Sequence, residues 1–211
     1  MTRAIVFDLD GTLIDSMPDI TAAVNTVLAD EGIEPLDLKT VTGFVGEGLP
    51  KLMERVIAHT GLNPTDHTRL SDAVLALYMS GDGALTVTHP HVIETLETLQ
   101  SAAFIMGICT NKPESAARHI LTTLDLLRFF DVVVGGDTLP TRKPDPAMMH
   151  YAFTALGVAR GLYVGDSEVD AETAQRGDMP FALFTEGYRK TEVAQIPHDI
   201  AFSDFADLPA I

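Results

Sequence analysis

Two aspartates, Asp8 and Asp10, stand one residue apart directly after the short apolar run Arg3–Phe7. If the extended conformation of a strand continues through them, its two-residue period directs both carboxylates to the same side. Two close carboxylates repel each other unless a cation lies between them or one of them holds a proton. The pair is therefore a candidate for cation binding and for acid–base chemistry.

Two more aspartates, Asp166 and Asp170, follow another apolar run late in the sequence and stand one helical turn apart. With Asp8 and Asp10 they make an oxygen-rich set, and Mg²⁺ is a hard cation that prefers oxygen ligands. The sequence therefore predicts a Mg²⁺ cofactor whose site draws on these four residues. For Asp170 the alternative is a plain negative charge at the start of a helix, where it stabilises the helix dipole.

Groups suited to binding phosphate stand in two further segments. Thr110 and Asn111 follow an apolar run and can donate hydrogen bonds, while Lys143 supplies a positive charge. Asp145 can cap a helix whose first position is Pro146, which would hold the loop of Lys143 stiffly. These segments predict a phosphate site made of Thr110, Asn111 and Lys143. Asn111 also fits an ordinary turn, where asparagine is common.

The predicted metal and phosphate sites together fit an aspartate nucleophile. One carboxylate of the Asp8 and Asp10 pair would attack phosphorus to give an aspartyl-phosphate. The other would protonate the leaving oxygen and then activate water. A metal ion and Lys143 would offset the charge on the group in transfer. The expected partner is a small phosphorylated substrate.

Apolar runs alternate with amphipathic helical patterns in the second part of the chain. Runs typical of buried strands lie at residues 103–109, 132–134, 162–164 and 181–184. Helical patterns lie at residues 92–99, 116–124, 147–156 and 171–175. This alternation predicts a parallel sheet covered by helices on both faces. Ligands of such sheets bind outside the carboxyl ends of the strands, and the candidate residues stand at those ends.

The segment between residues 16 and 80 has helical patterns and no run of strand type. Ser16 is the expected N-cap of its first helix, and two later helical patterns end at Gly61 and Gly81. We interpret this block as an insertion after the first strand. The predicted fold class is α/β. Residues 1–15 and 83–211 form a doubly wound parallel-sheet (Rossmann-like) core, and residues 16–82 form an inserted all-helical cap domain.

The composition limits the classes of partner. The 211 residues include 30 Asp and Glu against 14 Lys and Arg, which gives a formal net charge of −16. Proteins that bind nucleic acids or anionic membranes use clustered basic residues, so we expect neither partner. A hydrophobic fraction of 46% is ample material for a packed core.

A single cysteine, Cys109, excludes an internal disulfide framework and a four-cysteine zinc site. The apolar run near the N-terminus is short and reaches aspartates at once, unlike a signal peptide. No stretch has the roughly 20 apolar residues that a membrane helix needs. We expect a cytoplasmic protein, and the sequence leaves its oligomeric state open between monomer and dimer.

The order of these motifs resembles that of the haloacid dehalogenase superfamily. The resemblance is carried by Asp8-Leu9-Asp10-Gly11-Thr12-Leu13, followed in order by Thr110, Lys143, Gly165-Asp166 and Asp170. It implies that Asp8 is the nucleophile. It also implies that Asp10 is the general acid and base, with a backbone carbonyl that binds Mg²⁺. The positions of Thr110 and Lys143 hold the phosphate in that superfamily.

The last motif of the resemblance concerns the metal. Asp166 matches a metal ligand of the superfamily. Asp170 matches a second acid, which ligates the metal in some members and lies behind the ligands in others. True dehalogenases lack the acid and base that Asp10 matches, so its presence favours a phosphatase.

Three further runs are similar to the phosphoglycolate phosphatase branch of the superfamily. They are Val45-Gly46-Glu47-Gly48-Leu49-Pro50, Cys109-Thr110-Asn111-Lys112-Pro113 and Gly135-Gly136-Asp137. This resemblance implies Mg²⁺-dependent hydrolysis of a small phosphate monoester, above all 2-phosphoglycolate, to glycolate and phosphate.

The substrate contacts expected outside the phosphate site are Gly46, Glu47, Gly48 and Lys112. Backbone N–H groups of the glycine loop, at a helix N-terminus, would face the substrate; a plain interhelical turn is the alternative. Lys112 either contacts the far end of the substrate or is an exposed lysine at a helix start. Glu47 departs from the neutral polar residue that the branch leads us to expect.

Other functions remain open at this stage. Within the same chemistry they are a phosphatase of sugar phosphates, nucleotides or pyrophosphate, and a mutase like the β-phosphoglucomutases. Outside it they are a phospho-aspartate signalling receiver and a catalytically silent binding protein. A receiver has no need of Asp10 or of a helical insertion, and a silent protein has no need of the whole acidic set.

Overall fold

The first strand lies at the centre of a six-stranded parallel sheet in the computed structural model, which describes residues 3–81 and 83–210. The strands are β1 (Arg3–Phe7), β2 (Ile14–Asp15), β3 (Val87–Thr88), β4 (Phe104–Cys109), β5 (Val132–Val134), β6 (Leu162–Gly165), β7 (Phe181–Phe184) and β8 (Ile200–Phe202). The sheet order is β5-β4-β1-β6-β7-β8. In the register, Phe7 pairs with Ile108 on one side and Val164 on the other.

The chain builds this sheet outwards from β1, first to one side and then to the other. Strands β4 and β5 lie on one side, and β6, β7 and β8 lie on the other. The carboxyl end of β1 is therefore the topological switch point, where doubly wound sheets bind their ligands. Asp8 is the residue that follows β1 at this point.

Helices cover both faces of the sheet. The helices that follow the insertion are α5 (Val92–Ser101), α6 (Glu114–Thr123), α7 (Ala147–Ala155) and α8 (Glu168–Arg176). Side chains of Ile5 and Phe7 pack with α5 and α6, while those of Ala4 and Val6 pack with α7 and α8. This alternation is the two-residue period of a strand buried on both faces. The predicted α/β class is confirmed.

The inserted helices have an apolar cluster of their own. They are α1 (Met17–Asp30), α2 (Leu38–Thr42), α3 (Leu49–Thr60) and α4 (His67–Ser80). Their buried side chains, among them Leu28, Met53, Val56 and Leu70, pack together in one cluster. The predicted boundary of this block at Asp82 lies outside the described residues, as do Met1, Thr2 and Ile211 of the predicted core.

A small antiparallel ribbon joins the insertion to the sheet. Strand β2 leads into α1, strand β3 leads back to α5, and the two pair at Ile14 with Thr88 and at Asp15 with Val87. The sequence patterns missed β2, β3, β8 and α2. These elements have two to five residues, too few for a periodicity to develop.

One predicted helix cap is wrong, and a second is confirmed on a helix that begins one residue late. Ser16 precedes α1, but its hydroxyl makes no cap bond and donates instead to Asp10. Asp15 accepts from the Met17 N–H at 3.2 Å and takes the cap role. Asp145 does cap α7, accepting from the Ala147 N–H at 2.9 Å. That helix begins at Ala147, one residue later than predicted.

Within residues 3–81 and 83–210, none of the helices combines the length and the apolar character needed to cross a bilayer.

Candidate active site

A cleft lies at the carboxyl end of β1, between the sheet edge and the inserted helices. Its sheet side is lined by Asp8, Asp10, Thr110, Lys112 and Lys143. The opposite wall comes from the insertion and is mostly apolar. Polar residues far apart in the sequence meet here because parallel strands end at the same edge.

Three carboxylates form a buried group beside β1. One oxygen each from Asp8, Asp166 and Asp170 lies within 4.8 Å of the other two, and the three residues are buried. Like charges at this separation repel strongly in a buried site. The group therefore needs positive charge to remain ionised.

Lys143 supplies one such charge. Its Nζ lies 2.8 Å from Asp8 Oδ1 and 2.7 Å from Asp170 Oδ1, and it donates to the Tyr163 hydroxyl at 3.2 Å. Burial opposes the charged ammonium, but the attraction of Asp170 and Asp8 outweighs it and raises the pKa of Lys143. Lys143 is therefore a permanent cation, and one ammonium still leaves the three carboxylates with excess negative charge.

The carboxylate of Asp170 has all its acceptor positions in use. Its Oδ1 accepts from Lys143 Nζ and from the Tyr163 hydroxyl at 2.9 Å. Its Oδ2 accepts from the N–H and the hydroxyl of Ser167 at 3.2 and 2.7 Å. Burial raises the pKa of this carboxyl, but Lys143 and the hydrogen bonds from Ser167 and Tyr163 together lower it more, and the net pKa is below the ordinary value. Asp170 is thus ionised and caps α8 while it holds Lys143.

Asp8 and Asp166 are not surrounded by as many donors as Asp170, so burial dominates their pKa values. Burial raises the pKa of Asp8 to about 7, although Lys143 acts in the opposite direction. Burial also raises the pKa of Asp166 well above its ordinary value, and the charges of Asp170 and Asp8 add to the effect. Both carboxylates would be ionised at neutral pH once a further cation lies beside them.

The free acceptor positions of these two residues fit a divalent cation. Asp8 Oδ1 is buried and receives no hydrogen bond, although Lys143 Nζ is near. Asp166 accepts from the Thr12 hydroxyl at 2.9 Å and the Tyr188 N–H at 2.6 Å, which leaves lone pairs on its oxygens. Carboxylate oxygens with excess negative charge are a suitable donor set for Mg²⁺.

Glycines allow the chain to approach Asp166 closely. A Cβ on Gly187 would lie 2.3 Å from Asp166 Cβ, and one on Gly11 would lie 2.6 Å from Asp166 Oδ2. Gly11 also has a φ of +89°, a conformation that glycine adopts without strain. The loops after β1 and β7 therefore both depend on glycine to enclose this acid.

Asp10 has different partners from Asp8. Its two oxygens lie 2.9 and 3.2 Å from Lys112 Nζ, and it accepts from the Ser16 hydroxyl. Strand β1 ends at Phe7, and Asp10 forms an isolated bridge with Ile14 instead of continuing that strand. Its side chain is not among the three clustered carboxylates, which leaves its backbone carbonyl as the group implied for a metal.

Thr110 and Asn111 follow β4 and are buried at the cleft. The Asn111 side chain holds the lysine loop, because its Oδ1 accepts from the Lys143 N–H at 2.9 Å and its Nδ2 donates to the Lys143 carbonyl at 3.0 Å. The same Nδ2 lies 3.3 Å from the Gly46 carbonyl. The side chain expected to bind phosphate is thus used within the protein.

Lys112 is buried, unlike the exposed lysine that was one expectation for it. Besides its ion pair with Asp10, its Nζ lies 4.2 Å from the centre of the Tyr78 ring on α4. Burial lowers the pKa of an ammonium, but Asp10 and Tyr78 together outweigh this effect and raise the pKa of Lys112. A second permanent cation therefore lies in the cleft, on the side of the inserted helices.

The loop before α3 closes over the cleft. Gly46 and Gly48 line it, both at positive φ, and a Cβ on Gly48 would lie 3.0 Å from the Asn111 carbonyl oxygen. Glu47 is exposed and forms a salt bridge with Arg55. The charge of Glu47 is therefore balanced within the insertion rather than presented alone to a ligand.

Several tyrosines of the site were not identified from the sequence. The Tyr188 hydroxyl donates to Asp15 at 2.7 Å and accepts from the Ser16 N–H at 3.0 Å, while its own N–H holds Asp166. Tyr163 lies behind Lys143. The only available signal was position: Tyr188 follows β7 as the other site residues follow their strands.

Comparison with known proteins agrees with this geometry. The family model of the haloacid dehalogenase-like hydrolases matches residues 5–184. The chain belongs to the haloacid dehalogenase-like hydrolases. The matched range contains Asp8, Asp10, Lys143 and both acids of the last motif. The superfamily expected from the motifs is thereby confirmed.

Relatives of this hydrolase share its full length. A phosphoglycolate phosphatase of Cereibacter sphaeroides is 48% identical, over 97% of this chain and 95% of its own. One of Rhodobacter capsulatus is 42% identical, over 100% of this chain and 97% of its own. The crystal structure of a predicted phosphoglycolate phosphatase from Haemophilus somnus superposes with a TM-score of 0.91 at 29% identity, covering 99% and 97% of the two chains. The hydrolase is accordingly an enzyme, a phosphatase of the phosphoglycolate phosphatase-like type.

Proposed function

We propose that this hydrolase is a Mg²⁺-dependent phosphatase that converts 2-phosphoglycolate to glycolate and phosphate through an aspartyl-phosphate. The observation that carries the proposal is the placement of Asp8. It stands at the switch point of the sheet, 2.8 Å from Lys143 Nζ and within one cluster with Asp166. The phosphoglycolate phosphatases that are 42–48% identical to this chain support the choice of substrate.

The residues proposed to hold Mg²⁺ are Asp8, Asp166 and the backbone carbonyl of Asp10. Asp8 and Asp166 have free acceptor positions and raised pKa values. Asp170 supports this site from behind, since its oxygens are occupied by Lys143, Tyr163 and Ser167. When bound, the cation supplies positive charge that keeps the carboxylates ionised and offsets charge on the phosphoryl group.

The protein's own groups account for both chemical steps. A carboxylate oxygen of Asp8 attacks phosphorus while Asp10 donates a proton to the leaving ester oxygen, which departs as an alcohol. Asp10, now ionised, takes a proton from a water that attacks the aspartyl-phosphate. That attack releases phosphate and restores Asp8. Lys143 stabilises the negative charge on phosphorus in both steps.

The phosphoryl oxygens are proposed to bind at the end of β4. The proposed donors are the Thr110 hydroxyl and the Asn111 N–H. The Asn111 N–H is available because it bonds to no other backbone group of the described residues. The Asn111 side chain positions Lys143 by two bonds to its peptide groups. Its part in catalysis is therefore to place the lysine.

The inserted helices are proposed to act as a cap of residues 16–82 on a core of residues 1–15 and 83–211. Cap closure excludes water while Asp8 is phosphorylated. The backbone of Gly46 and Gly48 contributes to the closed cleft. Glu47 does not repel an anionic substrate, because Arg55 neutralises it.

A substrate screen tests the proposed function. Phosphate release is measured with Mg²⁺ on 2-phosphoglycolate, glucose 1-phosphate, a nucleoside monophosphate and pyrophosphate, with β-glucose 1-phosphate isomerisation assayed alongside. We expect 2-phosphoglycolate to have the highest kcat/KM. A higher value for any other substrate contradicts the proposed substrate, and isomerisation faster than hydrolysis contradicts the reaction.

The cytoplasmic location also stays a prediction, for which cell fractionation is the check.

A further inference from the structure

We infer that Lys112 and Tyr78 form a subsite that binds a carboxylate group on the leaving part of the substrate and so determines specificity. The inference rests on the proposed function and assigns the residues that select its substrate class. That class is short phosphate monoesters whose carboxylate lies close to the ester oxygen.

The position of Lys112 is the first observation. Its ammonium is buried beside Asp10, the residue proposed to protonate the leaving oxygen. A lysine ammonium has three N–H donors, and the contacts to the two Asp10 oxygens use two of them at most. The third donor faces the neutral Tyr78 hydroxyl, and a carboxylate next to the leaving oxygen is a stronger acceptor for it than that hydroxyl.

The hydroxyl of Tyr78 is the second observation. It is buried and none of the described residues accepts its proton, although buried hydroxyls normally have an acceptor; Lys112 acts on it only as a donor. Tyr78 lines the cleft, and its ring lies against Lys112 Nζ, an ammonium that has only donors and cannot accept from it. Burial raises the pKa of Tyr78, so the hydroxyl remains a donor at neutral pH. The Tyr78 hydroxyl thus has a proton to donate and the Lys112 ammonium beside it, and together they suit an anionic ligand.

The rest of the wall is the third observation. Around Tyr78 the cap presents Ile20, Leu49, Leu52, Val74 and Leu75 to the cleft. These side chains offer no hydrogen bonds, so a sugar hydroxyl placed against them would be buried without a partner, which is unfavourable. The wall therefore disfavours sugar phosphates, while one methylene and one carboxylate can be accommodated.

The available cations also single out Lys112. Among the described residues that line this cleft, the positively charged ones are Lys112 and Lys143. Lys143 is already held by Asp8 and Asp170 and faces the phosphoryl position. A second negative charge on the substrate is therefore matched by Lys112.

The test compares two substrates that differ in the carboxylate. For the wild type, Lys112→Met and Tyr78→Phe, the kcat/KM measured with 2-phosphoglycolate is divided by the value measured with ethyl phosphate. We expect this preference to fall at least ~10-fold in Lys112→Met, which removes a charged partner of the carboxylate, and about 3- to 10-fold in Tyr78→Phe, the range of a single net hydrogen bond. The substitution of Lys112 also affects Asp10, but this effect changes kcat/KM for both substrates and so cancels in their ratio.

Matched controls are available on the surface. Lys51→Met removes an exposed lysine of α3 that pairs with Glu54, and Tyr151→Phe changes an exposed tyrosine of α7. Both controls should keep the wild-type preference. Thermal unfolding verifies that each variant is folded, and the Tyr78→Phe change is small enough to retain the test if Lys112→Met does not fold.

The outcomes separate this inference from the proposed function. If the wild type prefers 2-phosphoglycolate but both cleft variants keep that preference within about twofold, the subsite is overturned and the proposed function stands. If the wild type hydrolyses ethyl phosphate as efficiently as 2-phosphoglycolate, both are overturned. A loss of preference in both cleft variants, with the controls unchanged, supports the subsite.

Discussion

The ammonium of Lys143 is held by Asp170, with 2.7 Å between Lys143 Nζ and Asp170 Oδ1. The other oxygen of Asp170 is occupied by Ser167. An acid whose counterpart ligates the metal in only some family members is therefore saturated by donors from its own chain. This relationship distinguishes two roles that the sequence left open, direct coordination and support from behind the ligands.

The role of Asp170 can be measured through metal affinity. We expect Asp170→Asn to lower kcat at least ~10-fold, because Lys143 loses the charge that positions it, while the apparent affinity for Mg²⁺ changes less than about threefold. Asp166→Asn should weaken Mg²⁺ at least ~10-fold, since the loss of a direct carboxylate ligand removes both a donor and a charge. Mg²⁺ titrations of phosphatase activity and of thermal unfolding report the two affinities. Equal weakening in both variants would show that Asp170 coordinates the metal.

The nucleophile is tested by Asp8→Asn. An amide is a poor nucleophile, so we expect phosphate release from para-nitrophenyl phosphate to fall at least ~1000-fold. Asp72→Asn on the exposed face of α4 is the matched control and should retain wild-type activity. Residual activity of Asp8→Asn above a few per cent, in a folded protein, is incompatible with the assignment.

The stability of the metal-free protein should depend on pH through Asp8 and Asp166. Their folded-state pKa values are raised by burial, to about 7 for Asp8. Between pH ~4, the unfolded value, and pH 7 the folded state binds more protons than the unfolded state. The unfolding free energy therefore decreases as pH rises through this window. The stabilisation from the two protonated carboxyls is fully present only below the unfolded pKa.

Bound Mg²⁺ should abolish this pH dependence of stability. In a chelator, we expect the melting temperature to fall between pH 5 and 7.5. With saturating Mg²⁺ the fall should disappear, because the cation replaces the protons on both carboxylates. Differential scanning calorimetry at several pH values measures this. A stabilisation by Mg²⁺ that is the same at pH 5 and pH 7.5 would argue against these two ligands.

The link between the sheet and the insertion is tested by Tyr188→Phe. The lost hydroxyl leaves the Ser16 N–H without its partner and removes one of two donors to the Asp15 carboxylate, which keeps the Met17 N–H. We expect the unfolding free energy to fall by about 1–3 kcal/mol, the cost of leaving buried polar groups unpaired. Denaturant unfolding provides the measurement, with Tyr151→Phe as the exposed control. A loss no greater than that of the control would mean that water replaces the hydroxyl at little cost.

The net charge of −16 makes a prediction about salt. The overall field repels an anionic substrate at long range, and Lys112, Lys143 and Mg²⁺ attract it at contact distance. Raising the ionic strength to 0.1 M shortens the screening length to about 10 Å and weakens mainly the long-range repulsion. With Mg²⁺ kept saturating, we expect the KM for the phosphoglycolate substrate to stay level or fall. A steep rise of this KM would show that long-range attraction dominates.

Much of the site was predictable because it depends on local pattern. Asp8, Thr110 and Asp166 each follow an apolar run, and a run of that type between amphipathic helices is a parallel strand. Parallel strands end at one edge, so three separate segments could be placed together from the sequence. The same kind of pattern predicted the helical insertion after the first strand. They missed the ribbon of β2 and β3, whose two-residue strands have no periodicity.

The sequence by itself determined which residues could do chemistry and at which edge of the sheet they lie, since hydrophobic period and strand order are encoded locally. Tertiary structure alone decided their partners. The pair of Lys112 with Asp10 spans 102 residues, and the bond from Tyr188 to Asp15 spans 173. Tyr78 reaches Lys112 only because the insertion packs over the sheet edge. Such contacts depend on how loops and helices dock in three dimensions, and no spacing within one segment records that.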